Sequence, residues 1–326
     1  VETEEGTGNG IYNKNVKIDT TQGGSGYQLI DPSHGNGQTT NLNHAQDGNG
    51  DVFSNSSNTW GSGDNSDPAS AGVDSHSGAA LTWDFYKDTE NRTGIFGDGR
   101  GVLSRDHYGD NYVNAFWDGQ QMTYGDGQNN ANPLTELDVS GHEMSHGVSG
   151  ALVNWNDQGS TGGLNEGTSD IFGTMVEFHA NLASDTPDYT IGELINLRGD
   201  GKPLRYMYQP SLDGQSPDCY DSNNGSLDPH YALGPLTHWF FLLAEGSGDT
   251  KWGNSPTCNN STLKGIGRDK AAKIWYQTLA SHANANEDYT SARTDSIAAA
   301  NDLFGANSAE ATAVGAAWDA VSNTGS

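Results

Sequence analysis

Positive charge is scarce in this chain of 326 residues: Lys and Arg number 15 against 42 Asp and Glu, a formal net charge of −27. Nucleic acids and anionic membrane surfaces recruit proteins through clustered cations, so neither is expected as a partner. Most of the acidic residues read as a solvated surface, and the excess also permits calcium sites. Long apolar runs are missing as well. A membrane-spanning helix needs about 20 consecutive apolar residues, whereas the longest run here lies near Trp239–Ala244. Hydrophobic residues reach only 33%, but aromatic residues recur throughout, which points to a loop-rich fold rather than disorder. Cysteine is nearly absent. Cys219 and Cys258 sit in the turn-like contexts Ser-Pro-Asp-Cys and Ser-Pro-Thr-Cys, in no CxxC and beside no His. They are expected to form one disulfide, which favours an oxidising compartment. The chain opens on polar residues without a signal peptide, as a cytosolic or a processed secreted protein would. The expected disulfide favours the second, an extracellular protein.

Glycine, by contrast, is abundant at 44 residues, and the excess of Gly, Asn, Ser and Asp lies mostly before residue 136. Short alternating runs at Asn15–Ile18, Tyr27–Ile30 and Gly101–Leu103 are separated by Gly, Asn and Asp turns, the pattern of strands. One helix is expected among them, from Ser70 to Tyr86. After Pro133 the hydrophobic period becomes helical over Leu137–Leu152, Leu164–Asn181, Gly234–Ala244, Arg268–Ala283, Ser291–Phe304 and Ala309–Val321. The expected fold is α+β in two lobes. A β-rich N-terminal lobe covers 1–135, a mainly α-helical C-terminal lobe covers 136–326, and the site lies in a cleft between them.

His142-Glu143-Met144-Ser145-His146 is an HExxH segment. On a helix, residues four apart share a face, so both imidazoles can meet one ion. Glu143 lies about 100° around the helix, beside the metal rather than on it, where a carboxylate can take a proton from water. Glu166 follows His146 by 20 residues, room for a helix end, a loop and a returning helix. Asp170 is placed to orient His142, and Asn165 to orient His146. Two His, one Glu and an open fourth position make a catalytic zinc arrangement, since a structural site would be closed by four protein ligands.

The segments Ser140–Val148 and Gly163–Gly173 resemble the thermolysin family, the M4 class of bacterial neutral proteases. Asn114-Ala115-Phe116-Trp117, Met122–Gly127 and Gly265–Ala272 are similar to it too, so the likeness runs from about Ala69 to the end. The resemblance implies one catalytic zinc on His142, His146 and Glu166, with Glu143 as general base. It implies that Asn114 and the backbone of Ala115 bind substrate as an added strand. Arg205 would hydrogen-bond a substrate carbonyl, and His230 would stabilise the oxyanion. Asp228 or Asp221 would fix the His230 tautomer. Val139 and Leu204 would line the pocket for a bulky apolar side chain following the cut.

The sequence also departs from the family pattern. Where relatives carry a Tyr nine residues before the Glu ligand, this chain has Asp157, with Trp155 close by. A carboxylate aimed at a developing oxyanion would repel it. Asp138 lies one turn before His142, and Glu177 about three turns after Glu166, so on antiparallel helices the two converge. Converging buried carboxylates need a cation. By resemblance, Asp188 and Glu193 complete a site for one or two calcium ions, with Asp185 competing for the place of Asp188. The family's acidic calcium loop in the first lobe is replaced by Ser54-Asn55-Ser56-Ser57-Asn58, without a carboxylate. The expected protein is a secreted, monomeric, calcium-stabilised zinc endopeptidase acting on peptides or proteins. A catalytically silent peptide-binding relative and a calcium-dependent adhesion protein are the alternatives.

Overall fold

The computed structural model describes residues 1–192, 194, 197 and 199–322. Strands in the first part follow the period-two rule. Along β2 (Val16–Gly23), Val16, Ile18 and Thr20 point inward while Lys17 is exposed. β2 pairs antiparallel with β1 (Glu4–Gly8), Gly6 opposite Ile18, and with β3 (Gly26–Gln28). A second sheet contains β4 (Ile30–Asp31), β5 (Gly37–Asn41) and β6 (Asp51–Val52). The first sheet is completed by β7 (Ser54–Asn55) at one end and β8 (Thr59–Trp60) at the other. The second sheet continues through β9 (Leu103–Tyr108) and β11 (Met122–Gly125) to β10 (Ala115–Trp117) at its edge. Val16, Ile18, Leu29, Phe53, Trp60 and Val73 form a core between strand residues and the first helix.

That helix, α1 (Pro68–Glu90), starts two residues before the expected position because Asp67 caps it, accepting from Ala69 N, and Pro68 suits the first turn. It ends where Asn91 adopts a left-handed conformation, φ 52°. α2 spans Leu137–Leu152, the expected range. α3 spans Gly159–Ala180, beginning five residues earlier than expected. A two-strand ribbon pairs β12 (Thr190–Ile191) with β13 (Arg205–Tyr206). Then follow the short α4 (Pro229–Ala232), α5 (Gly234–Glu245), α6 (Arg268–Ser281), α7 (Tyr289–Phe304) and α8 (Ala309–Ala320). The β-rich first part and helical second part match the α+β expectation.

The chain folds as two compact units, each discontinuous in sequence. One comprises Val1–Val148, Val176–Pro187 and Gly192–Lys202; the other comprises Ser149–Met175, Asp188–Ile191 and the chain from Pro203 onward. The second is organised around indoles. Trp239 of α5 stacks on Trp318 of α8 at 4.5 Å and meets Trp275 of α6 edge-on at 5.3 Å. Each indole N–H has an acceptor: Val314 O, Ser296 Oγ and Thr168 Oγ1 respectively. α5 is buried from Gly234 to Ala244, so the longest apolar run of the sequence is a core helix. Among the described residues, no helix is long and apolar enough to cross a membrane. Cys219 and Cys258 are joined, Cα–Cα 6.1 Å, and the closed loop contains α4.

In the first unit a histidine ties an inner strand of the second sheet to the start of α1. β9 bulges opposite β11, and His107 there adopts φ 58°, in the left-handed region. Its Nδ1 lies 2.9 Å from both carboxylate oxygens of Asp126, and its Nε2 2.9 Å from Pro68 O, the first residue of α1. Both neighbours are acceptors, so the ring must carry both protons. Burial lowers its pKa, but the Asp126 carboxylate outweighs this and holds it at about 9. A folded-state value above the unfolded 6.5 gives stability that is complete below about pH 6.5 and lost as pH rises through 9. The full effect is on the order of 3 kcal/mol. His107→Asn keeps a residue suited to the left-handed backbone but removes the charge. Melting temperature should fall between pH 6.5 and 9 more steeply with His107 than with Asn. Identical slopes would show that His107 carries no charge in the folded state.

Candidate metal centre

α2 is fixed in rotation by groups on both sides of its metal-ligand face. Leu137, Met144 and Val148 are buried, so its apolar stripe is inward. Two hydroxyl pairs flank the histidines: Ser140 Oγ lies 2.7 Å from the Tyr124 hydroxyl, and Ser145 Oγ 2.7 Å from the Tyr86 hydroxyl. Two glycines allow close approach. A Cβ at Gly78 of α1 would come within 2.6 Å of Ser140 Oγ, and one at Gly147 within 2.6 Å of Ile95. Sequence reasoning missed these hydroxyls; their signal was two serines placed among the buried apolar residues of a helix.

The His142 and His146 rings lie one turn apart, centroids 4.9 Å, nearly perpendicular at 82°. α3 presents Glu166, 3% exposed. His142, His146 and Glu166 each offer one ligand atom, all within 4.8 Å of one another. Two imidazole nitrogens and one carboxylate oxygen are a donor set suited to zinc, bound at about 2.0–2.2 Å with a fourth position open. The cluster fits a zinc site. Glu143, partly exposed, places Oε1 3.9 Å from His142 Nε2, beside the cluster rather than in it.

Around Glu166 the neighbours are polar. His230 Nε2 lies 3.3 Å from Glu166 Oε1, and His230 Nδ1 lies 2.9 Å from Asp228 Oδ1. The His230 pKa is raised to about 9, first by the Glu166 carboxylate, against a lowering by burial. A cation on Glu166 would compete for that carboxylate and weaken the effect. Asp228 also caps α4 by accepting from His230 N, and these bonds hold its pKa below the usual carboxylate value. Asp221 accepts from Asn223 N instead, so Asp228 is the carboxylate on His230. Arg205 of β13 makes a two-point pair with buried Asp170, Nε to Oδ2 at 2.6 Å and a terminal nitrogen to Oδ1 at 2.8 Å. Asn165 donates to the carbonyls of Trp155 and Asn156, tying down the loop that leads into α3. In that loop Trp155 is buried with Nε1 donating to Asn284 O, while Asp157 is exposed.

Asn114 is exposed and Ala115 buried at the start of β10, the edge strand; Asn114 Oδ1 accepts from Ala115 N. Val139 and Leu204 are half-buried. Of the expected calcium ligands, Asp138 and Glu177 are each 1% exposed. Asp138 Oδ2 accepts from Gly192 N at 2.7 Å, and its Oδ1 has no hydrogen-bond partner among the described residues. Asp185 is buried at 3%, whereas Asp188 is half-buried and accepts from Thr190 N and Oγ1. Glu193 lies outside the described residues.

Residues 5–150 match the family described as thermolysin metallopeptidase, catalytic domain, and residues 154–322 match thermolysin metallopeptidase, alpha-helical domain. The chain is 51% identical over 324 residues to the transglutaminase-activating metalloprotease of Streptomyces mobaraensis, covering 98% of this chain and 42% of that protein. It is 38% identical over 328 residues to bacillolysin of Bacillus cereus, covering 97% and 54%. The chain thus spans about half the length of the curated relatives it matches. Among solved structures, the precursor of protealysin, a metalloproteinase from Serratia proteamaculans, superposes with a TM-score of 0.68 at 27% identity, covering 93% of this chain and 89% of that one. With matches across both parts of the chain, this protein belongs to the thermolysin metallopeptidase family.

Proposed function

We propose that the chain is a secreted, monomeric zinc endopeptidase that cuts internal peptide bonds of peptides and proteins on the amino side of bulky apolar residues. The observation that carries this reading is the convergence of His142, His146 and Glu166 with Glu143 beside them. Zinc, when bound there, supplies a Lewis acid for the scissile carbonyl and a water of lowered pKa. Glu143 accepts the proton of the attacking water and delivers it to the leaving amine. His230, held by Asp228 at 2.9 Å, donates to the carbonyl oxygen as charge develops on it. Asn114 and the Ala115 backbone, on an edge strand, bind the substrate main chain, and Arg205 hydrogen-bonds a substrate carbonyl while Asp170 orients it. Asp170 and Asn165 support His142 and His146 from behind. Val139 and Leu204 line the pocket for the apolar side chain. With Trp155 anchored to Asn284 O and Asp157 exposed, no tyrosine stands at position 157, and His230 would be the side chain that stabilises the oxyanion, beside whatever a metal held by His142, His146 and Glu166 would supply. Casein digestion by the protein, after zinc chelation and after zinc return, tests the reading; digestion insensitive to the chelator would refute it.

Buried Asp138 and Glu177, with Glu193 and either Asp188 or Asp185, form the proposed site for one or two calcium ions. Carboxylates this buried need a cation opposite them, and Asp138 keeps an oxygen for one.

Three outcomes are expected. Glu143→Ala keeps zinc and fold but loses about 10²–10⁴ in rate, the usual share of general acid–base catalysis; metal analysis beside turnover checks this, and near-normal turnover removes Glu143 as base. His230→Ala lowers kcat far more than it raises KM, because its partner exists in the transition state. If KM alone rises, His230 is a ground-state contact. In the Glu143→Ala protein, melting temperature rises with free calcium at fixed zinc; a melt indifferent to calcium leaves these carboxylates a structural cluster without a metal.

A further inference from the structure

Far from α2 in sequence, a second group of metal-ligating atoms converges. Asp19 of β2, Asp31 of β4 and His34, in the turn after β4, each offer one ligand atom within 4.8 Å of one another. We propose that Asp19, Asp31 and His34 form a second, structural site for a divalent transition metal of the zinc class, with Asp84 of α1 holding the far side of the imidazole.

The spacing is near that of a bound ion. His34 Nδ1 lies 2.7 Å from Asp31 Oδ2 and 3.6 Å from Asp19 Oδ2. Ligands about 2.0–2.1 Å from a tetrahedral ion stand roughly 3.3 Å apart, between these two distances, so side-chain adjustments below about 1 Å complete the shell. The other nitrogen is already engaged. His34 Nε2 lies 2.8 Å from Asp84 Oδ1, which leaves Nδ1 for a metal and supplies the outer carboxylate that metal-bound histidines use. Asp31 and His34 also line a small cavity of about 20 Å³, room for one water as a fourth, non-protein ligand.

Charge points the same way. Among the described residues, no Lys or Arg stands within ion-pair distance of Asp19, Asp31 or Asp84; His34 is their shared basic partner. With a protonated imidazole the group carries −3 + 1 = −2. With a divalent ion on a neutral imidazole it carries −3 + 2 = −1. Asp31 is 3% exposed, so the difference matters. A mixed nitrogen and oxygen donor set selects zinc-class ions over calcium and magnesium, which prefer all-oxygen shells. The proton is the competitor, because Nδ1 must be bare to hold an ion whereas Asp31 and Asp84, one on each ring nitrogen, favour the protonated imidazole. Metal entry therefore releases a proton and is favoured in mildly alkaline buffer. A bound ion would cross-link β2, β4 and, through Asp84, α1.

The test is equilibrium dialysis of calcium-saturated Glu143→Ala protein against micromolar zinc at pH 8.5, with metal counted per chain. His34→Asn and Asp19→Asn are each added to that background; Asp19 is the more exposed, so its variant guards against a folding defect at His34. The parent is expected to hold one equivalent more than either variant and to gain melting temperature from that equivalent, while the variants do not. Equal zinc content in the parent and either variant overturns the proposal.

Discussion

A carboxylate as buried as Glu166 is tolerable only opposite positive charge, and two imidazoles on one helix face become a metal site only if that helix cannot rotate. Contacts within the protein itself meet the second condition. Ser140 and Ser145 anchor α2 to Tyr124 and Tyr86, and Gly78 and Gly147 let its neighbours close in. A helix turned by one residue, about 100°, would carry both imidazoles off the ligand face. Hydroxyl pairs resist that turn directionally in a way the apolar contacts of Met144 and Val148 do not.

Glu166 depends on a different set of contacts. α3 is held near its middle by Trp275, whose indole N–H donates to Thr168 Oγ1, and near its start by Thr161 Oγ1 donating to Glu287 O. Trp155 plugs the preceding loop into the same core. The indoles of α5, α6 and α8 therefore brace the helix that carries Glu166, the proposed metal ligand. Truncating one would be felt at Glu166 as misplacement, because interiors this dense transmit strain.

The site was legible where chemistry imposes spacing. HExxH needs two residues one turn apart, and the third ligand needs a return helix, so His142, His146 and Glu166 stood out without coordinates. The helices of the second part were legible for the same reason: α5, α6, α7 and α8 begin or end within two residues of their periodicity. The strands were less so. Most are two to five residues long, too short for a period, and left-handed Asn residues such as Asn15, Asn36 and Asn91 border elements where composition alone reads only as loop. Contacts between side chain and backbone were invisible. Nothing in the sequence says that Asn165 ties down the carbonyls of 155 and 156, or that Trp155 turns inward while Asp157 is exposed. Asp185 and Asp188 are both acidic in one loop, and the difference in burial that sets them apart is invisible in the sequence.

The scarcity of Lys and Arg has a structural consequence that reaches beyond solubility. With 15 such residues against 42 acids, most buried carboxylates cannot be given a permanent cation. Arg205 serves Asp170. Histidine serves three others: His107 on Asp126, His34 on Asp31 and His230 on Glu166. An arginine stays charged at any pH a protein survives, whereas an imidazolium yields its proton and a metal ion dissociates. Neutralising buried carboxylates this way makes the folded state conditional on the medium. Of these three histidines, His34 is the one that the site proposed above would let exchange its proton for a metal ion.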